Sequence, residues 1–293
     1  PYRIRGHYRA AGPMHQRALG IREKALGATH AEVAVSLNNL AVLYHQQGKY
    51  QQAEPLYRRV LSLTEKTLGP GHPRMATSLN NLATLYHDQR RAGAAEPLFQ
   101  RAISLLETTL GPEHPDLVTS LSNLADSYAA QRRYAESERL HRRALAILMR
   151  IYPPSHPKVA ASLHRLAALA QDTGQATEAL AIHRQALVTL EQTLGRHHPD
   201  VASSLRELAQ LHRTRQEYAE SLPLYQRALA IRQQALGRDH PTVAVSLNDL
   251  ANLALDQQQY DIAAPLYQQA LSIHERAFGT QHPAVATSLH SLA

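Results

Sequence analysis

Apolar residues recur at three- and four-residue steps through Val33, Ala34, Leu37, Leu40, Ala41, Leu43 and Tyr44. That spacing is the buried stripe of an amphipathic helix and predicts one (helix A) over about residues 32–46. Gln47-Gly48-Lys49 interrupts the stripe, and glycine suits a helix C-terminus because it takes positive φ without strain. A second stripe, Ala53, Leu56, Tyr57, Val60, Leu61, Leu63 and Leu68, predicts helix B over about residues 51–68. Pro55 lies early in helix B, where a missing N–H is harmless only among the first unpaired donors, so the helix is expected to begin at Gln51 or Gln52. Leu68-Gly69 closes it, and His72-Pro73 opens the next helix A with a proline pre-organised for the first helical position. Acids at Glu32, Asp116 and Asp200 complement the positive end of the helix dipole.

This pattern returns every 42 residues. SLNNLA at Ser36 and Ser78 becomes SLSNLA at Ser120, SLHRLA at Ser162, SLRELA at Ser204, SLNDLA at Ser246 and SLHSLA at Ser288. The preceding histidine keeps step at His30, His72, His114, His156, His198, His240 and His282. A fixed period of this length means stacked supersecondary units whose core runs through the stack. The expected fold is all-α, a right-handed superhelical solenoid of antiparallel helix pairs forming one array over 1–293. Complete units are 31–72, 73–114, 115–156, 157–198, 199–240 and 241–282, with partial units at 1–30 and 283–293. Because both partial units stop within a helix pair, the chain reads as a piece of a longer one. Two columns of small side chains, Ala53/Ala95/Ser137/Ala179/Ser221/Ala263 and Val60/Ala102/Ala144/Ala186/Ala228/Ala270, fit helix axes about 8–10 Å apart.

The spacing Leu37, Leu40, Ala41, Tyr44, Ala53, Tyr57, Val60 resembles the tetratricopeptide pattern, with Leu37 where tryptophan is common. The longer unit, with NNLA, QGKY, AEPLY and LGxxHP, resembles the variant of kinesin light chains and of similar bacterial repeat proteins. The resemblance spans essentially the whole chain and implies a protein- or peptide-binding scaffold. It departs at Glu65, where the usual proline after helix B is absent and the helix runs on.

Composition narrows the chemistry. Cysteine is absent, which excludes disulfides and thiol catalysis. No apolar run reaches the roughly 18 residues that would span a bilayer, and the expected location is cytoplasmic. Net charge is +7 and the isoelectric point near 9.7. Basic residues are mostly interleaved with acids, as on a solvated helix face, which argues against nucleic acid as partner. The charge is uneven: residues 1–30 carry a net +5, residues 241–282 a net −3.

Eighteen histidines raise a metal site, but the loop histidines occur once per unit, roughly 10 Å apart, whereas zinc gathers ligands at about 2 Å. Each is instead expected to hydrogen-bond a free backbone group at the start of helix A, and no metal or cofactor is expected. The serines of the Ser36 column lack a recurrent base and acid, so they form no triad and read as small residues in a crowded position. No phosphate loop or paired-carboxylate signature occurs, and the chain is expected not to be an enzyme.

The candidate ligand surface lies on helix A, which in tetratricopeptide arrays lines the concave face. Asn38, Asn39, Asn80, Asn81 and Asn123 crowd three successive A helices although asparagine is a poor helix-interior residue. Primary amides carry donors and acceptors together and suit the backbone of an extended peptide. The competing role is bonding to the neighbouring repeat. Further along, His164, Arg165, Arg206, Arg213 and Asn248 occupy the same surface. The arginines favour a carboxylate, hence an acidic ligand, and His164 is expected to titrate near about 6.5. Arg165 and Glu207 share a column in adjacent units and are an alternative internal pair. The leading function is a peptide- or protein-binding scaffold. Alternatives are a regulatory or sensor segment of a larger bacterial enzyme (a protease or nucleotide-switch protein) and an array that self-associates through its exposed ends.

Overall fold

Leucine and alanine stripes at helical spacing become helices here because each stripe finds a neighbour to cover it. A computed structural model describes residues 8–280 and 282–292, with side chains from residue 12. The first seven residues of the leading partial unit, with Gln281 and Ala293, lie outside the described residues. Among the described residues there are fourteen helices and no strand.

The chain divides into two compact units, Pro1–Ile151 and Tyr152–Ala293. The first holds α1 (Tyr8–Leu26), α2 (Ala31–Gln46), α3 (Tyr50–Leu68), α4 (Arg74–Asp88), α5 (Ala92–Leu110), α6 (Leu117–Ala130) and α7 (Tyr134–Ile151). The second holds α8 (Pro157–Asp172), α9 (Ala176–Leu194), α10 (Pro199–Thr214), α11 (Tyr218–Leu236), α12 (Pro241–Asp256), α13 (Tyr260–Phe278) and α14 (Pro283–Leu292). Even-numbered helices are helix A and odd-numbered ones helix B. Every complete helix A packs most heavily on the helix B that follows it, as a solenoid of helix pairs requires.

The core is the predicted one. Val33, Leu37, Leu40, Ala41 and Leu43 of α2 are buried, as are Ala53, Tyr57, Val60 and Leu63 of α3. Both small-residue columns are buried throughout. Leu68 differs: at the last residue of α3 it emerges at the edge and is exposed. Helix B also begins earlier than expected. α3 starts at Tyr50, so Pro55 is its sixth residue and leaves the Gln51 carbonyl without its usual donor; Gln51 is exposed, where water can serve.

The histidine column caps helix A. Nδ1 of His30, His72, His114, His156, His198, His240 and His282 each accepts from the backbone N–H two residues on, at 3.1–3.3 Å. This satisfies one of the four unpaired donors at a helix start. The turn between helices A and B needs a left-handed residue. Gly48 supplies it at φ 71°, but Arg90, Arg132, Gln216 and Gln258 take the same conformation at φ 58–61°.

Candidate functional site

Adjacent A helices are joined by two kinds of polar bond. The first runs from one helix to the next at a separation of 43 residues. Asn81 Nδ2 donates to Asn38 Oδ1 at 2.8 Å, and Arg206 Nε donates to Asp249 Oδ2 at 2.6 Å. Two turns further along, His45 Nε2 meets Asp88 Oδ2 at 2.6 Å, and Arg213 Nε meets Asp256 Oδ2 at 3.0 Å. These bonds make rungs across the A-helix surface of each compact unit.

The second kind runs inward at a separation of 40 residues. Asn80 Nδ2 donates to Ser120 Oγ at 2.6 Å, and His164 Nε2 lies 2.6 Å from Ser204 Oγ. Asn80 is only 7% exposed, so its amide holds the stack. His164 is held from its other side as well, with Nδ1 3.2 Å from Nδ1 of the buried His183. Burial lowers the pKa of His164, so it does not stay near 6.5 as its sequence context suggests. Burial, with His164 beside it, lowers His183 to about 4.

Six hydroxyls of the serine column are therefore buried and hydrogen-bonded. Ser36, Ser78, Ser246 and Ser288 are met instead by the helix B before them, through Arg22, Thr64, Arg232 and His274 at 2.5–3.3 Å. Ser162 is buried without a partner.

The remaining sequence candidates divide by what their neighbours do. Asn39 and Asn123 are half-buried and their side chains make no hydrogen bond among the described residues. Arg165 is exposed. Asn248 is half-buried with an unpartnered Oδ1. Glu207 lies 3.4 Å from Arg206 Nη1 on its own helix.

In the first unit three depressions open along the A helices, with α3 and the start of α5 completing their walls. The first, about 300 Å³, is lined by Val35, Asn38, Leu68, Thr77 and Asn81 among others. The second, about 350 Å³, includes Val42, His45, Asn81, Thr84 and Asp88. The third, about 320 Å³, includes His87, Asp88, Arg90, Ser127 and Gln131. Asn81 is common to the first and second, and Asp88 to the second and third, so the three form one track across α2, α4 and α6. Ser127 Oγ is buried in the wall of the third without a partner. The exposed Leu68, which its position in the apolar stripe had placed in the core, belongs to the apolar lining of the first.

The helices bearing this track are fixed from behind. Tyr86 Oη donates to Glu54 Oε1 at 2.9 Å while Arg91 lies over the tyrosine ring at 4.4 Å and pairs with the same glutamate. Tyr128, Glu96 and Arg133 repeat the arrangement at 2.9 and 3.9 Å. A cation over a ring with a shared carboxylate ties each helix A to the preceding helix B.

No three His, Cys, Asp or Glu side chains gather around a common point among the described residues. No helix there is long and apolar enough to cross a membrane.

Comparison with known proteins gives the chain its family. The tetratricopeptide repeat model matches residues 2–66, 43–108, 74–150, 158–234, 204–272 and 242–293, and the chain belongs to that family. Its repeats are of the kinesin-light-chain-like type. A crystal structure of nearly identical repeats from a Podosopora anserina protein described as kinesin light chain is 28% identical, with TM-score 0.60 over 71% of this chain and 98% of that one. BtubC (BKLC) from P. vanneervenii is 22% identical, with TM-score 0.62 over 80% and 92%. A signal-transduction ATPase of Pyrococcus horikoshii with a tetratricopeptide sensor is 14% identical, with TM-score 0.67 over 96% of this chain and 40% of that one. The last two share the fold. No curated protein matches the sequence. Tetratricopeptide repeats are general protein-interaction scaffolds.

Proposed function

We propose that the chain is a non-catalytic scaffold and that the track across α2, α4 and α6 holds an extended segment of a partner protein. The observation that carries this reading is the continuity of the three depressions through Asn81 and Asp88. An extended chain advances about 3.3 Å per residue, so about three residues cover one helix-pair step of roughly 10 Å. The first depression, with Val35 and Leu68, suits an apolar side chain. Asn38, Asn39, Asn81 and Asn123 supply amides along the path, and Asn80 positions its helix from below.

On the second unit, His164, Arg165, Arg206, Arg213 and Asn248 form a separate polar surface. Arg206 and Arg213 are already paired with carboxylates, so an acidic side chain of a ligand must compete with Asp249 and Asp256 there. The third depression, with His87 and Arg90, is the better place for one.

Selection of a random peptide library on the chain, followed by isothermal titration of the best binder, tests the proposal. Val35→Asp and Asn123→Ala are expected to weaken it, the first by about tenfold or more, since a charge facing an apolar side chain costs over about 1.4 kcal/mol. Ile262→Ser, on the exposed surface of the second unit, should leave it unchanged. Equal affinity for all four proteins contradicts the assignment.

A further inference from the structure

The direction taken by Asn38, Asn80, His164 and Arg206 follows in each case from a residue on another helix. Four serines of the Ser36 column are satisfied by helix B, and in those steps the helix-B residue fourteen positions earlier is polar: Arg22, Thr64, Arg232 and His274. In two of these steps the preceding helix A turns its side chain outward to the next helix, Asn38 onto Asn81 and Arg206 onto Asp249. Asn248, in the His274 step, leaves its Oδ1 unpartnered. In two other steps the same helix-B position is apolar, Leu106 and Leu190, both buried. There the serine has no donor from helix B, and Asn80 and His164 turn inward to Ser120 and Ser204. A buried hydroxyl left alone costs about 1–3 kcal/mol, enough to draw in a side chain that would otherwise bridge the surface.

We infer that this buried helix-B position selects which polar groups the A-helix surface shows to a ligand. A polar residue there leaves Asn38 and Arg206 free to close a rung on the surface; leucine opens one by drawing Asn80 or His164 inward. Leu106 thereby leaves the Asn123 amide unpaired, and Leu190 keeps His164 from bridging to Glu207. Thr64 and Arg232 close the Asn38–Asn81 and Arg206–Asp249 rungs. Leu106, Leu190, Thr64 and Arg232 are positioning residues: all four are buried and act through the serine column. The assignment of a ligand to that surface rests on the proposed function; the selection itself does not.

Two variants test the selection without any ligand. In Leu190→Thr, whose side chain matches that of Thr64, Ser204 gains a helix-B partner and His164 is released toward Glu207. His183 on α9 is the titratable group that meets it, at 3.2 Å, and Glu207 stands 43 residues on, on α10. Proton NMR titration is then expected to show His164 moving up from its depressed value, past the ordinary histidine value of about 6.5 as Glu207 replaces His183 as its partner. The isosteric Thr64→Val removes the helix-B partner of Ser78 with little risk to folding. Its crystal structure is expected to show Asn38 Nδ2 turned onto Ser78 Oγ and Asn81 no longer bonded to Asn38. An unmoved His164 titration in folded Leu190→Thr, or Asn38 still on Asn81 in Thr64→Val, overturns the inference. If peptide binding fails while both side chains move, the binding proposal falls and the selection stands.

Discussion

The Asn80 amide donates to the hydroxyl of Ser120 at 2.6 Å, and both side chains are buried. Ser120→Ala leaves that amide unsatisfied, and Asn80→Leu leaves the hydroxyl so. Each single change is expected to destabilise by about 1–3 kcal/mol. Asn80 Oδ1 is itself buried without a partner, so Asn80→Leu combined with Ser120→Ala should recover most of that loss. Urea melts of the two single variants and the double variant check this; strictly additive losses would show that the bond contributes nothing.

Each histidine cap holds one backbone donor. His198→Ala should lower stability by about 1 kcal/mol, whereas His198→Asn, which keeps an acceptor in reach of the Asp200 N–H, should lose less than about half of that. A denaturant series on the three proteins distinguishes capping from simple packing, under which alanine and asparagine would behave alike.

Gln216 sits at φ 61° in an exposed turn where Gly48 and Gly174 serve the equivalent units. Gln216→Gly should stabilise by about 0.5–1 kcal/mol, the relief of left-handed strain exceeding the entropy glycine adds to the unfolded chain. A lower melting temperature for the variant would mean that the side chain makes a contact worth more than the strain.

His183 occupies the helix-B position filled by Tyr57, Phe99, Tyr225 and Tyr267 elsewhere. Its folded value, lowered to about 4 by burial and by His164, lies below the ordinary 6.5. The unfolded chain therefore takes up the proton first, and stability falls as pH drops from about 6.5 to about 4, by about 3 kcal/mol over the full window. Above that window the group contributes no pH dependence. Melts of wild type and His183→Phe at about pH 7 and about pH 4.5 should show the variant losing less on acidification. Parallel losses would remove His183 as the source.

The helices, the core and the caps were legible in the sequence because each is a repeat of one local pattern. Leu37, Leu40 and Leu43 bury where their spacing says, and seven histidines meet seven backbone donors. The polar surface was less legible for a geometric reason. Aligning the units at 42 residues puts like beside like, but the bonds from Asn38, Asn80 and Arg206 run at separations of 43 and 40. Arg206 accordingly meets Asp249, and Asn80 meets Ser120. Five asparagines thus look alike in sequence yet differ in direction. Arg90 and Gln216 gave no sign of left-handed backbone, because only the neighbouring units show glycine there.

The most direct test of the scaffold reading is where a selected peptide lies. A library-derived binder carrying a photoreactive benzophenone, cross-linked to the full chain and mapped by mass spectrometry, should label Val35, Val42, Thr84 and Gln131, which line the track on α2, α4 and the C-terminal cap of α6. Labelling confined to exposed helix-B residues such as Val188, Tyr260 or Ile262 would contradict it.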